Sequence, residues 1–596
     1  MKKTFLKNTI FIVLAWLFTI SFRKCIAVDE YLSYTNSIIS FIVFAVYLYS
    51  IFKITQADVW KSEIKGYLGS GLLFSVLFFG AMISGVQLDL YGKVDFADIS
   101  NYVSLTVLSI GGAPLIAWMI HKLGNKTKEY DGKAAVVNKK FYLKVYLLFL
   151  VAYLIVLLAV WPGFFLYDAE VETYMVFTDK YSAHHPMAHV LLLGWIMKVM
   201  YKIIPSYNVG IATYLIIQMM VVSACFTYMI AFMKKIGIRK WIINGSIAFL
   251  ALFPTVSMFV CCSTKDVYFS AGVVLFTTLL LELAREGKNF WKAKRKSILL
   301  ILAILLIVLF RNNGLYALIA AIPVLIIVYR KYWKSWLKIL ITVVAVYCVF
   351  NISVNAIFNV KPGEKAEMLC VPMQQLARAH QEAKDCFTEE DLEVMYELIP
   401  EVILEKYNPK LADNVKVNFL EDNFKADPGK FIKLWIRIGM RRPDIYINSF
   451  LMNTYGYWYS DTIIDGYTGK WIVNREYEDS SYFAYETERP GISKPLIPFL
   501  AKFYEKISLE IYQQKMPVVS MLFSMGFWLW TYSFMVMYLL KTGHKKQALA
   551  FLPIGFIYLT VILGPIAIVR YVLYFYFCAP LVLALLFDTK AFKKEN

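Results

Sequence analysis

Residues 297–328 read SILLILAILLIVLFRNNGLYALIAAIPVLIIV, two apolar runs split by Arg311-Asn312-Asn313-Gly314. A bilayer core about 30 Å thick takes about 20 apolar helical residues to cross, and each run approaches that length. An arginine between them is expensive in lipid unless it is paired, at the surface or functional. The stretch therefore sets two expectations: a chain dissolved in a membrane, and a polar group placed where the chain leaves it.

Similar runs recur along the chain, near 5–22, 36–54, 66–86, 103–121, 141–161, 208–232, 242–262, 267–284, 338–358, 517–540, 548–568 and 571–588. With the opening pair they predict an α-helical polytopic membrane protein of about fourteen transmembrane helices. Composition agrees: 59% of residues are hydrophobic and 18% are charged, and the mean hydropathy is +0.55, too apolar for a water-soluble chain of this length. Met1 to Arg23 lacks a small-residue cleavage site, so it reads as a retained first helix.

The formal charge of +19 sits in short clusters between the apolar runs: Lys53 to Lys65, Lys122 to Lys140, Lys234 to Lys240, Arg285 to Lys296, Arg330 to Lys338 and Lys541 to Lys546. That pattern follows the positive-inside rule. It puts these loops and both termini in the cytoplasm, and it speaks against a nucleic-acid surface. Residues 186–204 are apolar too, but a crossing there would place Lys234, Lys235, Arg239 and Lys240 outside. The segment, with Lys198 and Lys202 near one end and Pro186 and Pro205 bounding it, is expected to be an interfacial or re-entrant helix; a true crossing is the alternative.

Between Asn359 and Met516 the pattern breaks, with 20 Lys/Arg against 25 Asp/Glu. A soluble, mostly helical extracytoplasmic domain is expected over 359–516. It follows an N-terminal four-helix membrane region (1–121) and a membrane core (141–358) whose first outer loop is 162–207, and 517–596 supply the last transmembrane helices. The eight cysteines, Cys25, Cys225, Cys261, Cys262, Cys348, Cys370, Cys386 and Cys578, have neither metal-ligand spacing nor a dense disulfide pattern.

The residues that could carry chemistry gather at the predicted outer face. Asp168, Glu170 and Glu172 follow a membrane helix, with His184 and His185 downstream. Carboxylates there can serve as general bases towards a hydroxyl or as ligands of a divalent ion such as Mg or Mn; solvated loop charge is the bland reading. Lys265-Asp266, Arg311 and Arg570-Tyr571 interrupt apolar runs at the same face. Each cation alone reads as a helix-end anchor in lipid headgroups. Together they could hold a phosphate or diphosphate. In the outer domain Gln374, Gln375, Arg378 and His380 share a predicted amphipathic helix, and Tyr457, Trp458 and Asp461 lie in an aromatic stretch suited to a sugar or headgroup, or to membrane anchoring.

Taken together, Pro162-Gly163 to Asp168, His185-Pro186, Thr264-Lys265-Asp266, Arg311-Asn312-Asn313-Gly314, Pro372-Met373-Gln374-Gln375 and Gly456-Tyr457-Trp458-Tyr459 resemble the GT-C superfamily of membrane glycosyltransferases, in a bacterial branch of uncharacterised proteins. The resemblance runs from about residue 141 to the end. It implies a polyprenyl-phosphate sugar donor, a glycan, lipid or protein acceptor, and inverting transfer at the outer face. It places Asp168 and Asp266 at the reaction centre, and the mechanism it implies puts Lys265, Arg311 and Arg570 on the donor phosphate. The residues themselves offer Glu170, His184, His185, Gln374, Gln375, Arg378, Tyr457, Trp458 and Asp461 as acceptor- or substrate-binding candidates. Several members bind a divalent metal through an Asp-x-Asp pair, where this chain has Ser263-Thr264-Lys265-Asp266; no cofactor is required by the residues themselves. The competing expectations are a lipid-linked saccharide flippase or transporter and a non-enzymatic assembly subunit.

Overall fold

The computed structural model describes residues 2–26, 34, 37–56, 64–129, 132–363, 365–461, 487, 489–508, 510, 512–516 and 518–593. Helices dominate, and among the described residues β-pairing is confined to isolated bridges. The first part of the chain forms α1 (Lys2–Phe22), α2 (Ile38–Gln56), α3 (Leu68–Tyr91), α4 (Ile99–Glu129) and α5 (Lys139–Ala159). Then come the short α6 (Tyr167–Thr178) and α7 (Met187–Ile203), followed by α8 (Tyr207–Lys235), α9 (Lys240–Leu252), α10 (Pro254–Val260) and α11 (Lys265–Glu286). The five-residue α12 (Lys288–Lys292) leads into α13 (Lys294–Phe310), α14 (Asn312–Val328) and α15 (Trp333–Phe358).

Nine helices among the described residues are long and apolar enough to cross a membrane, or ten if α9 and α10, bent by 53° at Phe253, count as one. The protein is membrane-embedded and α-helical. Burial separates its centre from its rim. The apolar windows of α11 and of α28 (Leu573–Phe587) are 94% and 89% buried, whereas that of α15 is 17% buried and faces outward. Other expected spans fall on shorter helices. α13 and α14 have 17 residues each, because the chain leaves helical geometry at Arg311, whose φ is −155°. The 186–204 segment is α7, also 17 residues, with His189, Val190 and Leu193 buried.

α1 to α4 bury Phe11, Phe18, Tyr47, Phe79 and Leu108 in a core of their own. The segment expected as the outer domain is assembled from α16 (Cys370–Glu382), α17 (Glu389–Leu398), the brief α18 (Glu401–Leu404), α19 (Asp413–Lys416) and α20 (Glu421–Ala426), and the longer α21 (Pro428–Arg441) and α22 (Pro443–Thr454). Met373, Leu376, Leu404, Phe431 and Ile438 share one core there. Apolar residues of α21 recur at three- and four-residue spacing, so one stripe faces that core. The domain grips α3 and its following turn, where Asn448 Oδ1 accepts from Val94 N at 2.7 Å and Asn448 Nδ2 donates to Val94 O at 3.2 Å.

Not all of the 359–516 segment stays in that core. The amides of Lys494 and Leu496 donate to Trp161 O and Leu158 O at the end of α5. α23 (Pro498–Ser508) then turns Ala501, Tyr504 and Ile507 inward. Three- and six-residue spacing gives it a single buried stripe, so it lies along the membrane helices instead of inside the domain. α24 (Val519–Phe523), α25 (Met525–Lys541), α26 (Lys545–Leu549) and α27 (Leu552–Val561) precede α28.

Candidate functional site

Four structural devices bring the site together at one end of the bundle. Gly163 holds φ +111°, a region that residues with a Cβ rarely adopt, and the chain turns there from α5 towards α6. Just beyond it, Phe164 N donates to Cys261 O and Ser263 N donates to Phe164 O, a small bridge that ties the start of α6 to the start of α11. Thr264 caps α11: its hydroxyl accepts from Asp266 N at 3.4 Å and donates to Asp266 Oδ2 at 3.1 Å. That places Asp266 in the first turn, where the helix dipole favours a carboxylate. Gln218 of α8 supports the same loop, donating to Val260 O at 3.0 Å and to Cys262 O at 2.7 Å.

On this frame the charged side chains pair. Lys265 Nζ is 2.9 Å from Asp168 Oδ2 and donates to His185 Nδ1 at 2.9 Å. Arg570, from the turn before α28, donates to the same Asp168 oxygen at 2.9 Å and to Tyr167 Oη at 2.6 Å. Arg311 pairs with Asp266, and its guanidinium lies 4.1 Å from the centre of the Tyr571 ring; Arg570 Nε is 4.0 Å from the other Asp266 oxygen. Glu172, fully buried, pairs with His189 and stands 3.7 Å from Lys265 Nζ. Three cations and three carboxylates from four separate chain segments thus share one cluster.

Its electrostatics follow from that packing. Burial alone would raise the Asp168 carboxyl, but Lys265 and Arg570, with His185 adding a little, outweigh it and hold the group well below the usual carboxylate range. Burial also acts on His185, and with Lys265 beside it the imidazole is pushed down to about 4. An ammonium only donates, so Nδ1 of the neutral ring is the acceptor and Nε2 carries the proton.

Linkage turns the His185 shift into a pH dependence. Its folded value lies below the free value of about 6.5, so the unfolded chain binds the extra proton first. The associated stability is fully present above about pH 6.5 and is lost as pH falls towards about 4, a window worth about 3 kcal/mol. Thermal midpoints of wild type are expected to fall across that window more steeply than those of His185→Gln. Equal slopes would remove His185 as the cause.

Six of the fourteen residues singled out from sequence meet here: Asp168, Asp266, Lys265, Arg311, Arg570 and His185. His184 stacks edge-on against His185 at 4.7 Å and reaches Glu367 at 3.7 Å, which links the cluster to the segment just before α16. Tyr457 donates to Ile566 O at 2.9 Å, close to the turn that carries Arg570. Other candidates are placed elsewhere. Gln374 donates to Asn408 O, Gln375 donates to Tyr446 O and accepts from Trp435 Nε1, and Arg378 bonds Asn448 O and Gly92 O. These bonds, with Arg378 Nε 2.9 Å from Glu382, tie the helix into its own domain and to Gly92 after α3, while the buried Gln374 Oε1 has no partner among the described residues. Trp458 donates to Thr454 Oγ1. Asp461 lies beside Tyr459 and Asp89, where burial and the Asp89 charge push its carboxyl up.

Glu170 and Glu172 exchange importance. Residues four apart share a helix face, while residues two apart point about 200° away from each other. Glu172 therefore stands over Asp168 and faces Lys265, and Glu170 looks elsewhere. The i, i+4 rule applied to Asp168 picks Glu172 over Glu170, whereas His185 lies before α7 and no helical spacing leads from it to His189. Nothing local flags the continuation, in which His189 Nε2 lies 2.7 Å from Tyr214 Oη, and Tyr214 donates to Gln218 at 2.9 Å.

α7 presses on α6 through Gly194, where an added Cβ would stand 2.3 Å from a Val176 methyl. Gly194→Val is expected to cost about 1–3 kcal/mol by overpacking, read as a lower thermal midpoint; an unchanged midpoint would mean that α6 yields freely.

No three His, Cys, Asp or Glu side chains among the described residues are arranged to hold a metal ion. Asp168 faces Lys265 and Arg570, and Asp266 faces Arg311. A divalent ion does not fit between carboxylates that already face cations.

No curated protein and no solved structure matches the chain. One family model does, over residues 173–595, taking in His185, Lys265, Asp266, Arg311 and Arg570 and beginning just after Asp168 and Glu172. The match covers well over half of the sequence, and the chain therefore belongs to DUF6020, a family of unknown function.

Proposed function

We propose that this protein is a GT-C-like membrane glycosyltransferase that moves a sugar from a polyprenyl-phosphate donor to a cell-envelope glycan, lipid or protein acceptor, on the outer face of a cytoplasmic membrane. In this reading the chain crosses about fourteen times if the shorter helices count, both termini are cytoplasmic, and the α16–α22 domain is extracytoplasmic. The observation that carries it is the convergence of Asp168 with Lys265 and Arg570, and of Asp266 with Arg311, at one end of the bundle.

The chemistry divides between the two kinds of charge. The acceptor hydroxyl attacks the anomeric carbon, the bond from that carbon to the donor phosphate oxygen breaks, and the hydroxyl proton passes to Asp168. Lys265, Arg311 and Arg570 hold the phosphate as its charge grows, which favours the transition state over the ground state. At rest, however, Asp168 is a weak base because two cations hold it ionised. A donor phosphate that draws Lys265 and Arg570 to itself loosens those pairs, so Asp168 becomes more basic only when the donor is in place.

The buried Glu172–His189–Tyr214–Gln218 chain is the feature that favours a transporter instead, since polar relays inside a bundle suit ion or proton movement. One comparison separates the two. Native cells in which Asp168→Asn replaces wild type are expected to lose one sugar from an envelope glycan and to retain the unused lipid-phosphate sugar in the outer leaflet. Retention of lipid-linked saccharide in the inner leaflet would favour the transporter, and an unaltered glycan profile would sink both.

A further inference from the structure

A second charged region lies at the opposite end of α11. The helix starts at Lys265 and ends at Glu286; 22 residues at 1.5 Å each span about 33 Å, close to the thickness of a bilayer core. Where it ends, a cavity of about 700 Å³ opens between the α11–α12 turn, α26 and the last described residues. Arg285, Lys288, Lys545, Lys546 and Lys593 line it, and among the described residues Glu286 is the single carboxylate on its wall.

That carboxylate is already engaged. Lys235 lies 2.8 Å from Glu286, and Lys296 pairs with it from the other side; both lysines also reach Glu282, at 3.1 and 2.9 Å. None of these acidic groups is left to balance the cavity. Arg285 is fixed in place because it donates to the carbonyls of Ala591 and Lys593, so the C-terminal turn closes one side of the cavity as a wall.

A clustering of basic residues at this end of a membrane protein is expected from topology alone. Topology requires that charges lie on one side, however, and does not require five of them to line one concavity. Like charges held together in this way repel unless an anion joins them. Arginine offers a planar fork for phosphate oxygens, and lysine offers a point charge. Basic pockets between helices at the membrane surface suit phosphate-bearing headgroups.

We propose that this cavity is a binding site for phosphate-bearing anions, distinct from the cluster around Asp168. An anionic phospholipid headgroup and a soluble phosphate compound share that chemistry. The proposal stands whether or not the protein transfers sugar.

The test uses the purified full chain, equilibrated with phosphatidylglycerol or with phosphatidylcholine, stripped with detergent and weighed intact for retained lipid. About one phosphatidylglycerol per chain is expected to resist stripping, with no excess of phosphatidylcholine. Lys545→Ser/Lys546→Ser should weaken retention about thirtyfold, at roughly one charge's worth of attraction per lysine. Lys288→Ser should weaken it about fivefold on the same scale. These lysines are exposed, so the variants are expected to unfold at the wild-type temperature. A parallel arm titrates pyrophosphate. Saturable pyrophosphate binding that the double variant loses, without retained phosphatidylglycerol, would support the site and assign it a soluble source. Retention and pyrophosphate binding that are the same in wild type and the double variant would overturn it.

Discussion

Asp168→Asn is expected to lower sugar transfer about a thousandfold while leaving the chain folded, the scale on which loss of a positioned acid–base group acts. Asparagine keeps the shape of the side chain and cannot take the proton. The fold survives because the cations beside it have other partners. Lys265 keeps His185 at 2.9 Å and Glu172 at 3.7 Å, and Arg570 keeps Tyr167 at 2.6 Å and Asp266 at 4.0 Å. The measurement is turnover with saturating donor, alongside donor affinity. Affinity should hold or improve, because the carboxylate that competes with the phosphate for Lys265 and Arg570 is gone. Asp422→Asn, on the fully exposed surface of the α16–α22 domain, serves as the control. Turnover within about threefold of wild type would remove Asp168 from the chemistry.

Arg311→Gln has the largest expected effect on stability. Asp266 is fully buried, and without Arg311 it keeps only the Thr264 hydroxyl at 3.1 Å and a distant Arg570. Removing one partner of a buried ion pair costs about 3–5 kcal/mol, because the other charge stays desolvated. Loss of the stack on Tyr571 adds to this. The double variant Arg311→Gln/Asp266→Asn is expected to regain most of the loss, since it removes both charges together. Unfolding free energies for the four members of the cycle, taken by denaturant titration in detergent, give the coupling. If the two single losses simply add, the pair contributes nothing and the assignment falls.

The sequence made the cluster legible for a physical reason. Lys265, Arg311 and Arg570 each interrupt a long apolar run, and in a membrane such an interruption needs partners. Asp266 was visible for the same reason, and Asp168 as a carboxylate just beyond a membrane helix. Span number was harder to read, because apolar content does not reveal where a helix stops. The 17-residue α13 and α14 break at Arg311, and α7 packs against α6 and α8 with six of its 17 residues buried. The amide candidates of the α16–α22 domain were hard to read for another reason. An amphipathic helix bearing Gln374, Gln375 and Arg378 looks the same whether its polar groups meet a ligand or the carbonyls of its own domain. Only long-range partners such as Gly92, Asn408 and Asn448 decide between them.

The three cations and three carboxylates around Asp168 balance one another in formal charge, and this pairing bears on membrane voltage. Moving one elementary charge through a potential of 100 mV is worth about 2.3 kcal/mol. Opposite charges locked in pairs are pulled in opposite directions by that field, which leaves little net force on the pair. The resting arrangement of these side chains is therefore expected to be the same in an energised membrane and in a discharged one.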